Sequence, residues 1–316
     1  IDLHRAMTGA PSSMAAKTTL DVFKVHEFVE ALGVELPPVE RFWKLGDATA
    51  LRNRADGSFF RANYERGILL YALVAKHRPT SVLEFGTGRG YGCLCVAWAM
   101  RDCGIPGVIH TVDKVSSDES IRWPVRWNES EKPRVELLAR AEVWRRTAHP
   151  GWLEHVRELT GYSAAVMRGF CGAPVDLAFI DAGHGHRTVQ HDFYAALRVA
   201  ADSIGILFDD YSAEDWGVGT RRLIHEEVLP HRNASLILTD RRWPGGEREN
   251  QTDTSTGMVW VQCESLPQLL DEIQSGFPPG LFASGYRFWE MWYSLRIMVG
   301  QRVRQALRAT CGGSRR

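Results

Sequence analysis

Residues Val82-Leu83-Glu84-Phe85-Gly86-Thr87-Gly88-Arg89-Gly90-Tyr91-Gly92 carry the strongest structural signal in this chain. The apolar run Ser81–Phe85 is typical of a buried strand, and the later run Leu94–Met100 is typical of a helix. Between them, glycines at every second position allow a tight turn, a positive φ and close approach of a ligand to the backbone. Free N–H groups at the start of the following helix favour polar or anionic ligand groups. This stretch therefore predicts a strand, a ligand-binding turn and a helix.

The spacing of the glycines excludes one large class of ligands. A dinucleotide-binding turn needs the pattern G-x-G-x-x-G, with a third glycine three positions after the second. Here the pattern is Gly86-x-Gly88-x-Gly90, and Tyr91 stands three positions after Gly88. Because the pyrophosphate fingerprint is broken, the turn is predicted to bind another kind of ligand.

Short apolar strands alternate with helical segments along the rest of the chain. This alternation predicts a mostly parallel sheet covered on both faces, in a doubly wound α/β fold. The segment Arg241–Thr256 differs, because it is polar and has no helical period. It predicts a loop between an antiparallel pair at the sheet edge. Further strands are predicted at Val108–Val112, His155–Leu159, Val175–Ile180, Ile204–Phe208, Ser235–Leu238 and Gly257–Val261, and helices at Val189–Ala200 and Thr220–Val228.

The two ends of the chain and one internal segment lie outside this alternation. Leu20–Leu32 and Phe59–His77 carry apolar residues at helical spacing, which predicts a helix in each. Ser116–Trp152 is a long insertion with four tryptophans among many charges, and we expect it to form a helical lid or a partner surface. The predicted division is an N-terminal helical cap over 1–58, the α/β domain over 59–265 with its insertion at 116–152, and a C-terminal helical extension over 266–316.

Composition narrows the protein class and the compartment. Hydrophobic residues make up 44% and charged residues 24%, as in globular proteins, and Lys+Arg equals Asp+Glu at 38 each. This balance disfavours a nucleic-acid binder held by bulk charge. No apolar stretch approaches the ~20 residues that cross a bilayer, and Ile1–Ala10 lacks the pattern of a secretory signal. Six scattered cysteines indicate free thiols in a reducing compartment, so we expect a cytoplasmic protein without nucleic-acid partners.

Acidic residues follow two of the predicted strands. Asp181 comes directly after Val175–Ile180, and the pair Asp209-Asp210 follows Ile204–Phe208. Both groups should lie at the carboxyl edge of the sheet, where open α/β sheets bind ligands. Three neighbouring carboxylates repel one another unless a cation or protonation relieves them, and an oxygen-only set suits Mg²⁺. A zinc site at His184 and His186 is the alternative, but it lacks a clear third nitrogen or sulfur ligand.

The glycine turn also resembles the first motif of the Rossmann-like S-adenosylmethionine (SAM) methyltransferases, which reads acidic-x-G-x-G-x-G. This resemblance implies a seven-stranded, mostly parallel sheet and SAM as methyl donor. It implies that Glu84 lies near the ligand's amino group, that Asp113 accepts hydrogen bonds from the ribose hydroxyls, and that Ser163 lies near the adenine. The implied donor-binding residues of the turn itself are Gly86, Thr87, Gly88 and Gly90.

The motif Asp181-x-x-His184 followed by Asp209-Asp210-Tyr211 resembles the macrocin O-methyltransferase group of metal-dependent, small-molecule O-methyltransferases. The resemblance implies that Asp181, Asp209 and Asp210 hold Mg²⁺ and that His184 is the base. Asp192 also matches an acid of that group. The resemblance covers roughly Phe59–Cys263 and favours O-methylation of a hydroxyl on a sugar or another small polyhydroxylated metabolite.

Two other functions stay open on the sequence. One is a metal-independent SAM methyltransferase that acts on another oxygen or on nitrogen. The other is a non-catalytic SAM-binding or membrane-associated protein. The basic amphipathic segment Tyr286–Ala309 is consistent with membrane association, because it could lie on an anionic membrane surface. The same segment could instead pack on the core or on a second subunit in a homo-oligomer.

Overall fold

The computed structural model describes residues 18–53, 57–61, 63–212, 217–239 and 257–264. The strands are β1 (Leu20–Lys24), β2 (Leu51–Asn53), β3 (Phe59–Arg61), β4 (Ser81–Phe85), β5 (Val108–Asp113), β6 (Ser120–Val125), β7 (Arg134–Ala139), β8 (Val156–Thr160), β9 (Val175–Ile180), β10 (Ala200–Tyr211), β11 (Ala234–Leu238) and β12 (Gly257–Cys263). The α-helices are α1 (Val25–Leu32), α2 (Val39–Thr49), α3 (Glu65–His77), α4 (Tyr91–Asp102), α5 (Arg140–Thr147), α6 (Pro150–Leu153), α7 (Ser163–Val166), α8 (His186–Arg198) and α9 (Val218–Leu223). A 3₁₀ turn spans Met167–Gly169, and a π-helical turn spans Ile224–Val228.

Eight strands form the central sheet, in the order β1-β11-β12-β10-β9-β4-β5-β8. Among the strands that the structure describes in this sheet, only β12 runs antiparallel to its neighbours, which are β10 and β11. The predicted α/β fold and all seven predicted strands are confirmed. The chain moves from β4 to β5 and β8 on one side, then returns to β9 on the other. The switch point between β4 and β9 is where an open α/β sheet binds its ligand.

The eighth strand corrects the prediction of a helix over Leu20–Leu32. Leu20–Lys24 is β1, which pairs in parallel with β11 at the edge of the sheet. The helix begins at Val25, because the Glu27 carboxylate accepts the Lys24 N–H at 2.8 Å and caps it there. The predicted helix is confirmed from Val25 onward. The five residues before it instead pair with β11 at the edge of the sheet. The region predicted as a helical cap therefore also contributes a strand to the main sheet.

The insertion at Ser116–Trp152 is only partly helical, so that prediction is also corrected. Its first half is the antiparallel hairpin β6–β7, and α5 and α6 follow. Trp123 on the hairpin is fully buried and donates its indole N–H to the Ala48 carbonyl at 2.7 Å. This bond ties the hairpin to α2.

Two apolar layers cover the two faces of the sheet. One contains α3 and α4, with Leu70 and Trp98 fully buried, and the other contains α8 and α9, with Phe193 and Leu223 buried. Each large side chain buried in this way contributes about 2 kcal/mol to folding. The layers keep the sheet rigid beneath the strand ends.

Several predictions concern residues that the structure does not describe. The loop Arg241–Thr256, the segment Tyr286–Ala309 and the extension over 266–316 lie outside the described residues, and the domain boundaries remain predictions. Across the described ranges, no helix combines the length and apolar character needed to span a bilayer. The five cysteines in these ranges are free thiols.

Candidate functional site

The glycine turn between β4 and α4 has a positive φ at three positions: 96° at Gly86, 54° at Gly88 and 90° at Gly90. The glycines serve different purposes. A Cβ on Gly86 would lie 2.1 Å from the Asp181 carbonyl, and one on Gly90 would lie 2.2 Å from the Trp144 ring. Gly88 is exposed and has no atom within 4 Å of such a Cβ. Gly86 and Gly90 thus allow close packing, and Gly88 leaves open space for a ligand.

Glu84 lies in β4, two residues before the turn, and is 1% exposed. The Thr111 hydroxyl donates to its carboxylate, and the Thr87 hydroxyl lies 2.5 Å from that of Thr111. Burial raises the pKa of Glu84 to about 7, although the Thr111 hydrogen bond and the Arg66 charge oppose the rise. Glu84 can therefore change charge near neutral pH. Thr87 contributes its backbone to the turn, and its side chain supports the Thr111 hydroxyl.

Asp113 ends β5 beside the turn. Its two carboxylate oxygens accept the N–H groups of Gly88 at 2.7 Å and Val115 at 2.8 Å, which holds the carboxylate in place. A carboxylate has about four lone-pair sites, so it keeps capacity for two hydroxyl donors. The Asp113 carbonyl accepts the Gly161 N–H at 2.7 Å, and Ser163 begins α7 two residues later. The residues predicted to bind the methyl donor thus lie at or just beyond the carboxyl ends of the adjacent strands β4, β5 and β8.

The three aspartates come together at the neighbouring carboxyl ends of β9 and β10. Asp181, Asp209 and Asp210 each offer a ligand atom within 4.8 Å of the others. Successive residues of a strand normally point to opposite faces. The pairing of β10 with β12 shifts between Phe208 and Tyr211, and Asp210 has a φ of 59°. This break in the strand lets both consecutive aspartates reach the same cluster.

His184 lies in the loop between β9 and α8, and its side chain is 51% exposed. Its Nδ1 lies 2.6 Å from Asp210 Oδ2. This hydrogen bond raises the pKa of His184, and nearby carboxylates add to the rise. With Nδ1 donating to Asp210, Nε2 is the nitrogen that can accept a proton.

Arg66, in the first turn of α3, is a site residue that the sequence analysis missed. Its Nη1 donates to Asp209 Oδ2 at 2.9 Å and also to Asp181 Oδ2. The neighbouring aspartates raise the pKa of Arg66 despite its burial. Burial and the other carboxylates raise the pKa of Asp181, although Arg66 opposes this. No local pattern marks Arg66, because the chain separates it from its partners by more than a hundred residues.

Arg140 and Trp144 of α5 were also missed as parts of the site. Arg140 donates to the carbonyls of Gly88 at 2.9 Å and Val115 at 3.0 Å, and Trp144 donates to the carbonyl of Arg89 at 3.0 Å. These bonds dock the insertion on the glycine turn. The insertion therefore holds the turn in shape.

The other polar residues considered in the sequence lie outside the acid cluster. The Nε2 atom of His186 is 3.9 Å from carboxylate oxygens of Glu226 and Glu227. Asp192 is fully buried, and its Oδ1 is 3.1 Å from His191 Nδ1. Among the described residues, the group that could hold a metal ion contains neither His184 nor His186. The structure thus places no HxH zinc site in the ranges it describes.

Comparison with known families assigns the central part of the chain. Residues 83–211 match the family described as Methyltransferase domain, and this range holds the glycine turn, Asp113, His184 and the three aspartates. This segment is a methyltransferase domain. The match extends from β4 to β10, and the strands β1, β11 and β12 of the same sheet lie outside it. Comparison with curated proteins gives no match.

Solved structures of similar fold include two O-methyltransferases. TomG from Streptomyces achromogenes, in complex with SAM, is 19% identical, with a TM-score of 0.49 over 75% of this chain and 95% of that chain. An enzyme from Bacillus cereus, in complex with S-adenosylhomocysteine (SAH), is 17% identical, with a TM-score of 0.45 over 74% and 96%. Because both TM-scores are below 0.5, the assignment rests on the domain match and on the residues of this chain.

Replacing Gly86 by alanine should destabilise the protein by more than about 3 kcal/mol, since a Cβ there meets backbone at unfavourable φ. Gly88→Ala is the matched control, because its φ is also positive but the space is open. We expect the control to cost about 1 kcal/mol. Urea unfolding of both variants measures the difference, and equal losses would contradict the packing role of Gly86.

The raised pKa of Glu84 predicts that the ligand-free protein loses stability as pH rises. In the folded state the pKa of Glu84 is about 7, whereas the pKa of the free side chain is 4.5. Between these values the folded state binds more protons, so its free energy of unfolding falls with increasing pH. Melting temperatures from pH 5 to 8 should show a shallower fall for Glu84→Gln. Parallel curves for the two proteins would contradict the raised pKa.

Proposed function

We propose that this protein is a Mg²⁺-dependent O-methyltransferase that acts on a hydroxyl of a sugar or another small polyhydroxylated metabolite. The observation that carries the proposal is the acid cluster with His184 hydrogen-bonded to it, adjoining the glycine turn of a methyltransferase domain. Hydroxyl groups need activation before they attack a methyl group, and these residues supply the means to activate them.

The three aspartates at the ends of β9 and β10 fit a divalent cation. Asp181, Asp209 and Asp210 form an all-oxygen donor set close enough to share one ion, which suits Mg²⁺. Beside them, the Asn63 amide donates an N–H to Asp209 Oδ1 at 3.4 Å, and its buried Oδ1 has no hydrogen-bond partner among the described residues. Mg²⁺ held by the three aspartates would act as a Lewis acid that lowers the pKa of the acceptor hydroxyl.

The protein's own residues would position the donor and move the proton. Asp113 would accept hydrogen bonds from the ribose of SAM, Glu84 would lie near its amino group, and Ser163 near its adenine. The acceptor oxygen attacks the methyl carbon in line with the sulfur, so a C–O bond forms as the S–C bond breaks. The hydroxyl proton passes to His184 Nε2, and SAH leaves with the electron pair on sulfur.

Methyl transfer from radiolabelled SAM to a panel of nucleotide sugars, glycosides and phenols tests the proposal. We expect transfer to a polyhydroxylated acceptor, its loss in EDTA, and its recovery when Mg²⁺ is added back. Asp209→Asn should bind SAH but show no recovery with Mg²⁺, whereas Asp118→Asn, an exposed site, should behave as the wild type. Transfer that EDTA leaves unchanged would contradict metal dependence.

A metal-independent methyltransferase is the second candidate, and one observation favours it. The guanidinium of Arg66 already contacts two of the three aspartates and offsets part of their charge. In that case His184 alone would activate the acceptor, which suits a hydroxyl of lower pKa such as a phenol. EDTA-resistant transfer to a phenol, with none to sugars, would select this function.

A further inference from the structure

Arg66 occupies the position that a cation would take in the acid cluster. Its side chain is only 12% exposed, and Asp209 is 3% exposed. The Nη1 atom lies 2.9 Å from Asp209 Oδ2 and also contacts Asp181 Oδ2. One nitrogen thus bridges two of the three carboxylates that would bind a metal.

The backbone that carries Arg66 is held firmly. The Tyr64 carbonyl accepts the Tyr91 hydroxyl at 2.7 Å, and the Tyr64 hydroxyl donates to Asp47 at 3.0 Å. Gly67 lies against the Tyr91 ring, where a Cβ would be 2.5 Å from the hydroxyl. The start of α3 therefore has a fixed place beside the cluster.

The guanidinium of Arg66 depends on the aspartates for its hydrogen bonds. Its Nε is buried without a hydrogen-bond partner, and its only side-chain hydrogen bonds in the described part of the chain go to the two aspartates. If another cation neutralises those aspartates, the guanidinium loses its partners and meets a like charge. The long side chain can then change rotamer without any movement of α3.

We propose that Arg66 is a resident counter-ion of the acid cluster, and that a divalent cation binds by displacing its guanidinium from Asp181 and Asp209. Arg66 thus keeps the metal-free site folded and lowers the affinity for the ion. This inference rests on the proposed metal site, but it concerns a residue outside the metal ligands. It also reconciles an acid cluster suited to Mg²⁺ with an arginine placed within it.

Calorimetric titration with Mn²⁺, a spectroscopically useful substitute for Mg²⁺, tests the displacement. Arg66→Met should bind Mn²⁺ about tenfold more tightly than the wild type or better, since one opposing charge is removed. Without metal its melting temperature should fall, because the aspartates lose their counter-ion, and millimolar Mn²⁺ should raise it more than in the wild type. Arg134→Met is the control, because the half-exposed Arg134 pairs with Glu131 and Glu136 of the hairpin and with none of the three aspartates. Its Mn²⁺ affinity should equal that of the wild type.

A crystal of the wild type soaked in Mn²⁺ gives a readout that needs no variant to fold. We expect anomalous density between the aspartates and the Arg66 guanidinium moved out of hydrogen-bond distance of Asp181 and Asp209. Bound Mn²⁺ with Arg66 in place, or equal affinities for wild type and Arg66→Met, would overturn the displacement and leave the metal site standing. Absence of Mn²⁺ binding in both proteins would overturn the metal site itself.

Discussion

Replacing His184 by alanine is expected to slow methyl transfer by about 100- to 10,000-fold, the usual contribution of a general base. The affinity for SAH should stay within a factor of about two, because His184 contacts Asp210 and none of the predicted donor-binding residues. Single-turnover rates with an active acceptor, together with calorimetric SAH binding, measure the two quantities separately. A fully active variant would remove the role of His184 as the base.

A control from the same stretch of chain separates the loss of a base from a general disturbance of the loop. His186 lies two residues further on, near Glu226 and Glu227 and outside the acid cluster. His186→Ala should retain most of the activity. Imidazole added to His184→Ala should restore part of the rate if the missing group is a proton acceptor. Equal losses in the two variants, without rescue, would indicate a structural role.

Replacing Asp113 by alanine is expected to weaken SAH binding by about 100-fold. Two hydrogen bonds from ribose hydroxyls to a carboxylate account for a loss of this size. The variant also frees the Gly88 and Val115 N–H groups that the carboxylate holds, so the turn should loosen. Calorimetric titration with SAH measures the loss, and circular dichroism checks that the fold is kept.

Two further variants sharpen the Asp113 experiment. Asp113→Asn keeps one acceptor oxygen and the size of the side chain, so it should lose less affinity than the alanine variant. Asp118→Ala removes an exposed carboxylate five residues further on and should bind SAH as the wild type does. Unchanged affinity in Asp113→Ala would show that the ribose lies elsewhere.

The elements that were predicted well depend on local sequence. The strand predicted at Ser81–Phe85 has the same bounds as β4, because a short apolar run before three spaced glycines leaves few other conformations. Two of the predictions that failed involve contacts between distant segments. The helix predicted over Phe59–His77 instead fails at its start, because Phe59–Arg61 pairs with the nearby strand β2 and the helix begins at Glu65. Leu20–Lys24 falls within a predicted helix but pairs with β11, more than two hundred residues away. The hairpin in the insertion likewise depends on a buried contact between Trp123 and α2.

The amino-acid sequence was enough to establish the α/β class, the glycine turn and the acids that follow the strands, because these features arise from short-range periodicity and chain direction. Only the tertiary structure shows that Arg66 lies in the acid cluster and that Arg140 contacts the glycine turn. It also shows the irregularity in β10 that lets Asp209 and Asp210 reach one site. The physical reason is that charged groups interact according to their distance in space, and tertiary packing sets that distance. The periodicity of residues along the chain does not indicate which distant residues come close together.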